Sequence, residues 1–181
     1  MRANTTKRSD QTRQELMAAF TRLVFANGFE HVSVRRIASE ADLARSTFYE
    51  HFSSKEDLLR ACMAQFLSVI AECVRNAQIP QLLPKVLDHL WENRRLTDAI
   101  FSGPARIVLA RTLGEMVEMH LRELKQGERM ALPYRLAAIH VAEGQLALVE
   151  NWMRGRAFCT TEALGEALHR SSRASAGALL A

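Results

Sequence analysis

"VSVRRIASEADLARSTFYEHFSSKEDLL", residues 32–59, holds two short apolar-periodic segments separated by three residues. In the first, Val34, Ile37, Ala38 and Ala41 fall at offsets of 0, 3, 4 and 7 behind Ser33, a good helix cap, which predicts a helix of about two turns. Asp42, Leu43 and Ala44 form the connection. From about Arg45 to Phe52 a second helix is predicted, with Leu43, Phe48 and Phe52 facing inward and the two phenylalanines spaced i, i+4. Ser53 and Glu56 then show the S-x-x-E spacing of a capping box, which predicts a long helix running through about Gln78. Two short helices joined by a turn of about three residues have helix-turn-helix geometry, in which the second helix enters the major groove. Neither is long enough to persist alone, because helix nucleation is costly, so both must pack on their neighbours.

The residues that face outward from the second helix are Arg45, Ser46, Thr47 and Tyr49, with His51 and Lys55 just beyond and Glu50 as the one acid. Hydrogen-bond donors are what phosphates and base edges require. A guanidinium fork at Arg45, or at Arg35 across the turn, matches guanine O6 and N7. The hydroxyls of Ser33, Thr47 and Tyr49 and the ammonium of Lys55 suit phosphates, which fix register without reading sequence. Tyr49 lies about 100° round the helix from Phe48, off the face that the phenylalanines supply to the core.

Outward from this stretch, helical periodicity covers almost the whole chain and no alternating strand stands out, so an all-α fold is expected. Thr12 and Glu15 have capping-box spacing. A helix is expected to open there, line one face with Leu16, Phe20 and Leu23, and end at Asn27-Gly28. Before it, residues 1–11 read as a mobile basic arm: Arg2, Lys7 and Arg8 stand against Asp10 alone. Residues 12–60 then form a DNA-binding domain, and residues 61–181 a second helical unit. Pro80 and Pro84 bound the end of one helix and the start of the next, Gly103-Pro104 breaks the following segment, and Gly127 through Pro133 precede a strongly patterned C-terminal region. There Ile139, Ala142, Leu146, Val149 and Met153 form one apolar stripe and Leu148 and Trp152 a second, so this helix is expected to have two partners. After Gly155 a last helix carries Leu164, Ala167 and Leu168, with the small residues Ala174 and Ser175.

Composition narrows the function classes. The 181 residues carry 24 Lys and Arg against 20 Asp and Glu, a net +4. Residues 1–60 hold ten of those bases and eight of the acids, a net +2, which leaves +2 for the rest. Bulk charge therefore does not mark out a nucleic-acid domain. No run is long and apolar enough for a membrane span and the start lacks a signal-peptide stretch, so no membrane partner and a cytoplasmic location are expected. Cys62, Cys73 and Cys159 have neither zinc-site spacing nor the pattern of a disulfide framework. Glu166-x-x-His169 is one half of a di-iron pattern; no second copy exists and His140-x-x-Glu143 reverses the order, so this pair is expected to be solvated surface. With no phosphate loop or nucleophilic constellation either, no enzyme activity, metal or cofactor is expected.

Residues 32–59 resemble the DNA-binding domain of the TetR family of bacterial transcriptional regulators. The matching features are the Ser33 cap, Arg35, Ile37-Ala38, Leu43, Thr47-Phe48-Tyr49, Phe52 and the Ser54-Lys55-Glu56 run. "FANGFEHVSV" extends the pattern back through the first helix, so specific resemblance covers about residues 12–60. It implies that Arg35, Arg45, Ser46 and Thr47 lie near bases, and Ser33, Tyr49, His51 and Lys55 near the backbone. Two positions depart from the family. Ala44 stands where a serine often caps the recognition helix, and Asp42 replaces a common turn glycine. The resemblance further implies a homodimer through the last two helices, a palindromic operator on double-stranded DNA, and a small-molecule effector bound among residues 61–155. Candidate effector contacts are His89, Trp91, His120, Tyr134, His140 and Trp152. The function so implied is a regulator, most simply a repressor. The alternatives are an architectural DNA binder that recruits a protein partner without a ligand and, from another class, a helical-bundle metalloenzyme.

Overall fold

The computed structural model describes residues 2–75, 77–94, 99–124 and 130–179, and side chains from residue 8 onward. Eight α-helices and no strand are found among the described residues: α1 Arg2–Asn27, α2 Val34–Glu40, α3 Arg45–His51, α4 Lys55–Glu72, α5 Leu83–Glu92, α6 Gly103–Leu124, α7 Tyr134–Met153 and α8 Thr161–Ala178. A single 3-10 turn, Phe29–His31, links α1 to α2. The expected all-α architecture is therefore the observed one.

Helix ends follow local chemistry, with some shifts from the sequence reading. The helix expected to open at Thr12 starts at Arg2, so the residues expected to form an arm are its first turns. The Thr12–Glu15 box does not form; Gln11 Nε2 instead donates to Glu15 Oε1 at 3.0 Å, one helical turn away. At the far end Gly28, with φ of +79°, turns the chain out of α1, as Asn27-Gly28 predicts. Ser33 Oγ accepts from the Arg36 amide at 3.3 Å and caps α2. Asp42 takes the left-handed turn position with φ of +55°, which a β-branched residue would fill only with strain. Ala44 begins α3 with no side-chain cap. The cap of α4 lies one residue later than the spacing suggests. Ser54 Oγ accepts from the Asp57 amide at 3.2 Å, while Ser53 donates its own amide to the Asp57 carboxylate at 3.0 Å. This helix ends at Glu72 rather than near Gln78.

One continuous apolar core runs from Leu16 of α1 to Ala176 of α8. α1, α2, α3 and the start of α4 enclose its N-terminal end, where Leu16, Phe20, Ile37, Phe48 and Leu58 are almost wholly buried. α4 continues into the rest of the bundle and packs on α6, which in turn packs on α7. The boundary expected near residue 60 thus falls inside a single helix. A buried polar node fastens that helix further along: Gln145 Nε2 of α7 donates to the Ile70 carbonyl of α4 at 2.9 Å and to Ser172 Oγ of α8 at 2.8 Å.

Of the C-terminal stripes, Ala142, Leu146, Val149, Trp152 and Met153 are buried, whereas Ile139 and Leu148 are exposed. α7 therefore has one face in the core and a second, apolar in part, outside it. The expectation of solvated surface at Glu166 and His169 holds for one residue only. Glu166 is exposed and pairs with Arg170 at 3.6 Å, but His169 is buried, because it shares the inward face of α8 with Leu168 and Ser172. Gly127 lies outside the described residues.

Candidate nucleic-acid interface

α3 is anchored from beneath. Phe48 is fully buried, and its ring lies 5.9 Å from that of Phe52. The Arg13 guanidinium of α1 sits 4.5 Å above the Phe52 ring, a cation–π contact that ties the recognition helix to the first helix. Arg22 of α1 reaches Glu40 of α2 at 2.9 Å. Two turns that would be marginal in isolation are thus held as a rigid ridge.

On the opposite side of α3 the polar residues remain available. Arg45, Ser46 and Tyr49 are exposed, and Thr47 and His51 are half-buried at the flanks. Tyr49 is 49 % exposed, and its ring stands edge-on to Phe48 with centroids 5.5 Å apart. Arg45 Nη2 donates to Tyr49 Oη at 3.1 Å, and the guanidinium lies 5.4 Å from the ring centre. The phenolic oxygen accepts in this contact and keeps its own proton to donate; the guanidinium has further N–H groups beyond the one used. Arg35 is exposed and makes no hydrogen bond or ion pair among the described residues, while Ser33 is also exposed and already serves as a cap.

Lys55 is placed differently from the phosphate contact expected of it. Its ammonium lies 3.0 Å from the Phe29 carbonyl, 3.4 Å from that of Glu30 and 3.0 Å from that of Val32, and 4.5 Å from the centre of the Phe29 ring. An ammonium has three protons, and three carbonyls face it. Lys55 therefore clamps the 3-10 turn onto the start of α4, adding a charged donor to the carbonyls of that turn, of which that of Phe29 also accepts from the Val32 amide at 3.3 Å. Arg36, adjacent to Arg35, is also committed inward: it donates to the His31 carbonyl at 3.1 Å and to Asn27 Oδ1 at 3.2 Å.

The residues singled out as effector contacts are dispersed. Trp91 and Trp152 stack at 4.7 Å, Trp152 Nε1 donates to the Cys159 carbonyl at 2.9 Å, and the Arg94 guanidinium lies 4.4 Å above Trp91. This is a packed aromatic pair. His120 is buried, with Nδ1 3.7 Å from Glu123. Tyr134 lies under the Arg122 guanidinium at 4.9 Å, and His140 is exposed. His89 lines a cavity of about 530 Å³ bounded by α1, α4 and α5. Most of the cavity wall was not legible, because Phe20, Phe25, Met63 and Phe66 have the spacing of ordinary core residues and nothing marks them as facing a space.

A helix-turn-helix seated on a helical bundle, with an exposed donor face on its second helix, defines the DNA-binding class of helical regulators. Residues 16–62 match the model of the family described as bacterial regulatory proteins, tetR family. The chain is 28 % identical over 76 residues to the HTH-type transcriptional regulator PksA of Bacillus subtilis (strain 168), a match covering 42 % of this chain and 37 % of that protein. It is 32 % identical, again over 76 residues, to the HTH-type nicotine-responsive transcriptional repressor HdnoR of Paenarthrobacter nicotinovorans, covering 42 % and 34 %. The matched part thus spans little more than a third of these relatives. In fold the likeness extends further. A TetR transcriptional regulator from Streptococcus agalactiae 2603V superposes with a TM-score of 0.60 at 20 % identity, over 95 % of this chain and 99 % of that one.

Proposed function

We propose that the protein is a transcriptional repressor that binds a palindromic operator as a homodimer and is released by a small-molecule effector. The observation that carries the DNA-binding part is the Arg45–Tyr49 pair, exposed on a short helix whose other face is locked into the core. Arg45 and Arg35 read base edges, with Ser46 and Thr47 beside them. Ser33, Tyr49 and His51 hold the backbone. Lys55 acts by positioning, since its protons face the 3-10 turn.

Dimerisation is supported by the outward face of the last two helices. Leu136, Ile139 and Leu148 of α7 are exposed at 50 %, 42 % and 38 %, and the small residues Ala163, Ala167 and Ala174 of α8 are exposed as well. Exposed large apolar side chains on one helix and exposed small ones on the next suit the close approach of a second helix pair. Two copies of α3 about one DNA turn apart, roughly 34 Å, would meet the two halves of a palindrome. The relative HdnoR is a nicotine-responsive repressor, and a response to a small molecule is what we assign here.

The test is selection of duplexes from a random pool by the full chain, followed by sedimentation of the protein with the selected site. Enrichment of an inverted repeat bound by two or four chains is expected. A pool that stays random after repeated rounds contradicts sequence-specific binding, and a single chain on a non-repeated site contradicts the dimer.

A further inference from the structure

The cavity bounded by α1, α4 and α5 has a chemistry of its own. Its volume of about 530 Å³ falls within the range of about 300–1,000 Å³ found for small-molecule sites, and far exceeds the voids that a packed interior leaves. α1 contributes Phe20, Val24 and Phe25; α4 contributes Met63 and Phe66; α5 contributes Val86 and Leu90. Polar groups are few: Thr21, Cys62, Gln65, Lys85, His89 and Asn93. Thr21 is satisfied by the Met17 carbonyl at 2.8 Å. Cys62 is a neutral thiol, because burial pushes its pKa up to about 11. Lys85 is exposed and has neither a hydrogen bond nor an ion pair among the described residues. Asn93 Nδ2 donates to the His89 carbonyl at 2.8 Å and lies 3.4 Å from His89 Nδ1.

Among the described residues no acidic side chain lines the cavity; Asp88 and Glu92, on the same helix as Lys85, lie outside its wall. An apolar body with an ammonium and an imidazole at its edge selects for a small organic anion. We infer that this cavity binds a hydrophobic carboxylate of medium chain length, with the chain among the α1 and α4 side chains and the carboxylate at Lys85 and His89. The inference rests on the ligand-responsive reading above and names its ligand class and its place.

The location gives the ligand a lever. α1 belongs to the DNA-binding half, α5 to the rest of the bundle, and α4 runs through both. A ligand between α1 and α5 contacts both halves directly, and its binding energy can bias their relative tilt about α4. The shift is limited by the difference in affinity of the ligand for the two tilts.

Decanoate, and decanol as its uncharged counterpart, serve as probes, with the ¹³C-methyl resonance of Met63 as reporter, assigned by its loss in Met63→Leu. A saturable Met63 shift with decanoate is expected, weakened tenfold or more in Lys85→Gln, whereas decanol should bind that variant and the wild type alike. Val86→Trp, checked for folding by thermal melting, should abolish the shift. A Met63 methyl unmoved by both probes overturns the site, and equal decanoate affinity in Lys85→Gln overturns the carboxylate assignment. Operator release is read in parallel on the selected duplex. A Met63 response without release upholds the site and refutes ligand release as the function; release without a Met63 response refutes the site and leaves ligand release standing.

Discussion

The outer face of α3 and the seam between α1, the 3-10 turn and α4 are built from the same residue types and use them in opposite ways. Arg45 and Tyr49 are exposed and share one hydrogen bond, with donors to spare. Lys55 and Arg36 direct their donors at backbone carbonyls and an asparagine oxygen of the fold itself. Arg35 and Arg36 make the contrast over one residue, since a rotation of 100° separates a free guanidinium from one engaged with the end of α1. On the proposed reading, the basic residues of the helix-turn-helix thus divide into readers and holders, and position on the helix decides which.

The largest effect should come from the anchor beneath the readers. Phe48→Ala should cost about 3–5 kcal/mol of stability, seen as a lowered melting temperature, and abolish operator binding with it. A stable Phe48→Ala protein that still bound its operator would show that α3 is not held by this ring. Lys55→Ala should cost about 1.5–3 kcal/mol, because the charged donor shared by the carbonyls of the 3-10 turn is lost. The slope of log affinity against log salt should stay as it is in the wild type; a slope reduced by about one unit would return Lys55 to the phosphate contacts. Gly103→Ala probes the other end of the seam. Gly103 begins α6 with φ of +53°, and an added Cβ would stand 2.6 Å from Glu30 Oε1 of the 3-10 turn. The variant should lose about 1–2 kcal/mol by thermal melting, chiefly from backbone strain, since the Glu30 side chain can swing away. The smallest effect is expected for Tyr49→Phe. Loss of one hydroxyl should weaken binding by about 1 kcal/mol across all duplexes, with preference among them preserved. A changed preference would show that the Arg45–Tyr49 hydrogen bond also sets how Arg45 meets its base.

The helix-turn-helix was legible because its signals are local. Ser33 caps, Phe48 and Phe52 repeat at i, i+4, and Asp42 stands where a left-handed residue is required. The direction of Lys55 was not, because it is set by carbonyls 23 to 26 residues away in sequence. Capping chemistry misled twice by simple competition. Thr12 has box spacing within a helix that continues through it, and Asp57 displaces Glu56 because Ser54, not Ser53, takes the cap. The cavity left even less trace, since a phenylalanine facing an empty volume and one packed in a core occupy the same helical positions. His89 stands out in the sequence only as a polar residue among apolar ones, and nothing there singles out Lys85.

The division into readers and holders is tested most directly by titrating Arg45→Ala and wild type against the selected operator and against a scrambled duplex of equal length, at one fixed salt concentration. Loss of the guanidinium fork should lower operator affinity by about 1–3 kcal/mol, roughly five- to a hundredfold or more, and leave the scrambled duplex within about twofold of wild type. An equal loss on both duplexes would make Arg45 a backbone contact, and α3 would no longer be the element that reads sequence.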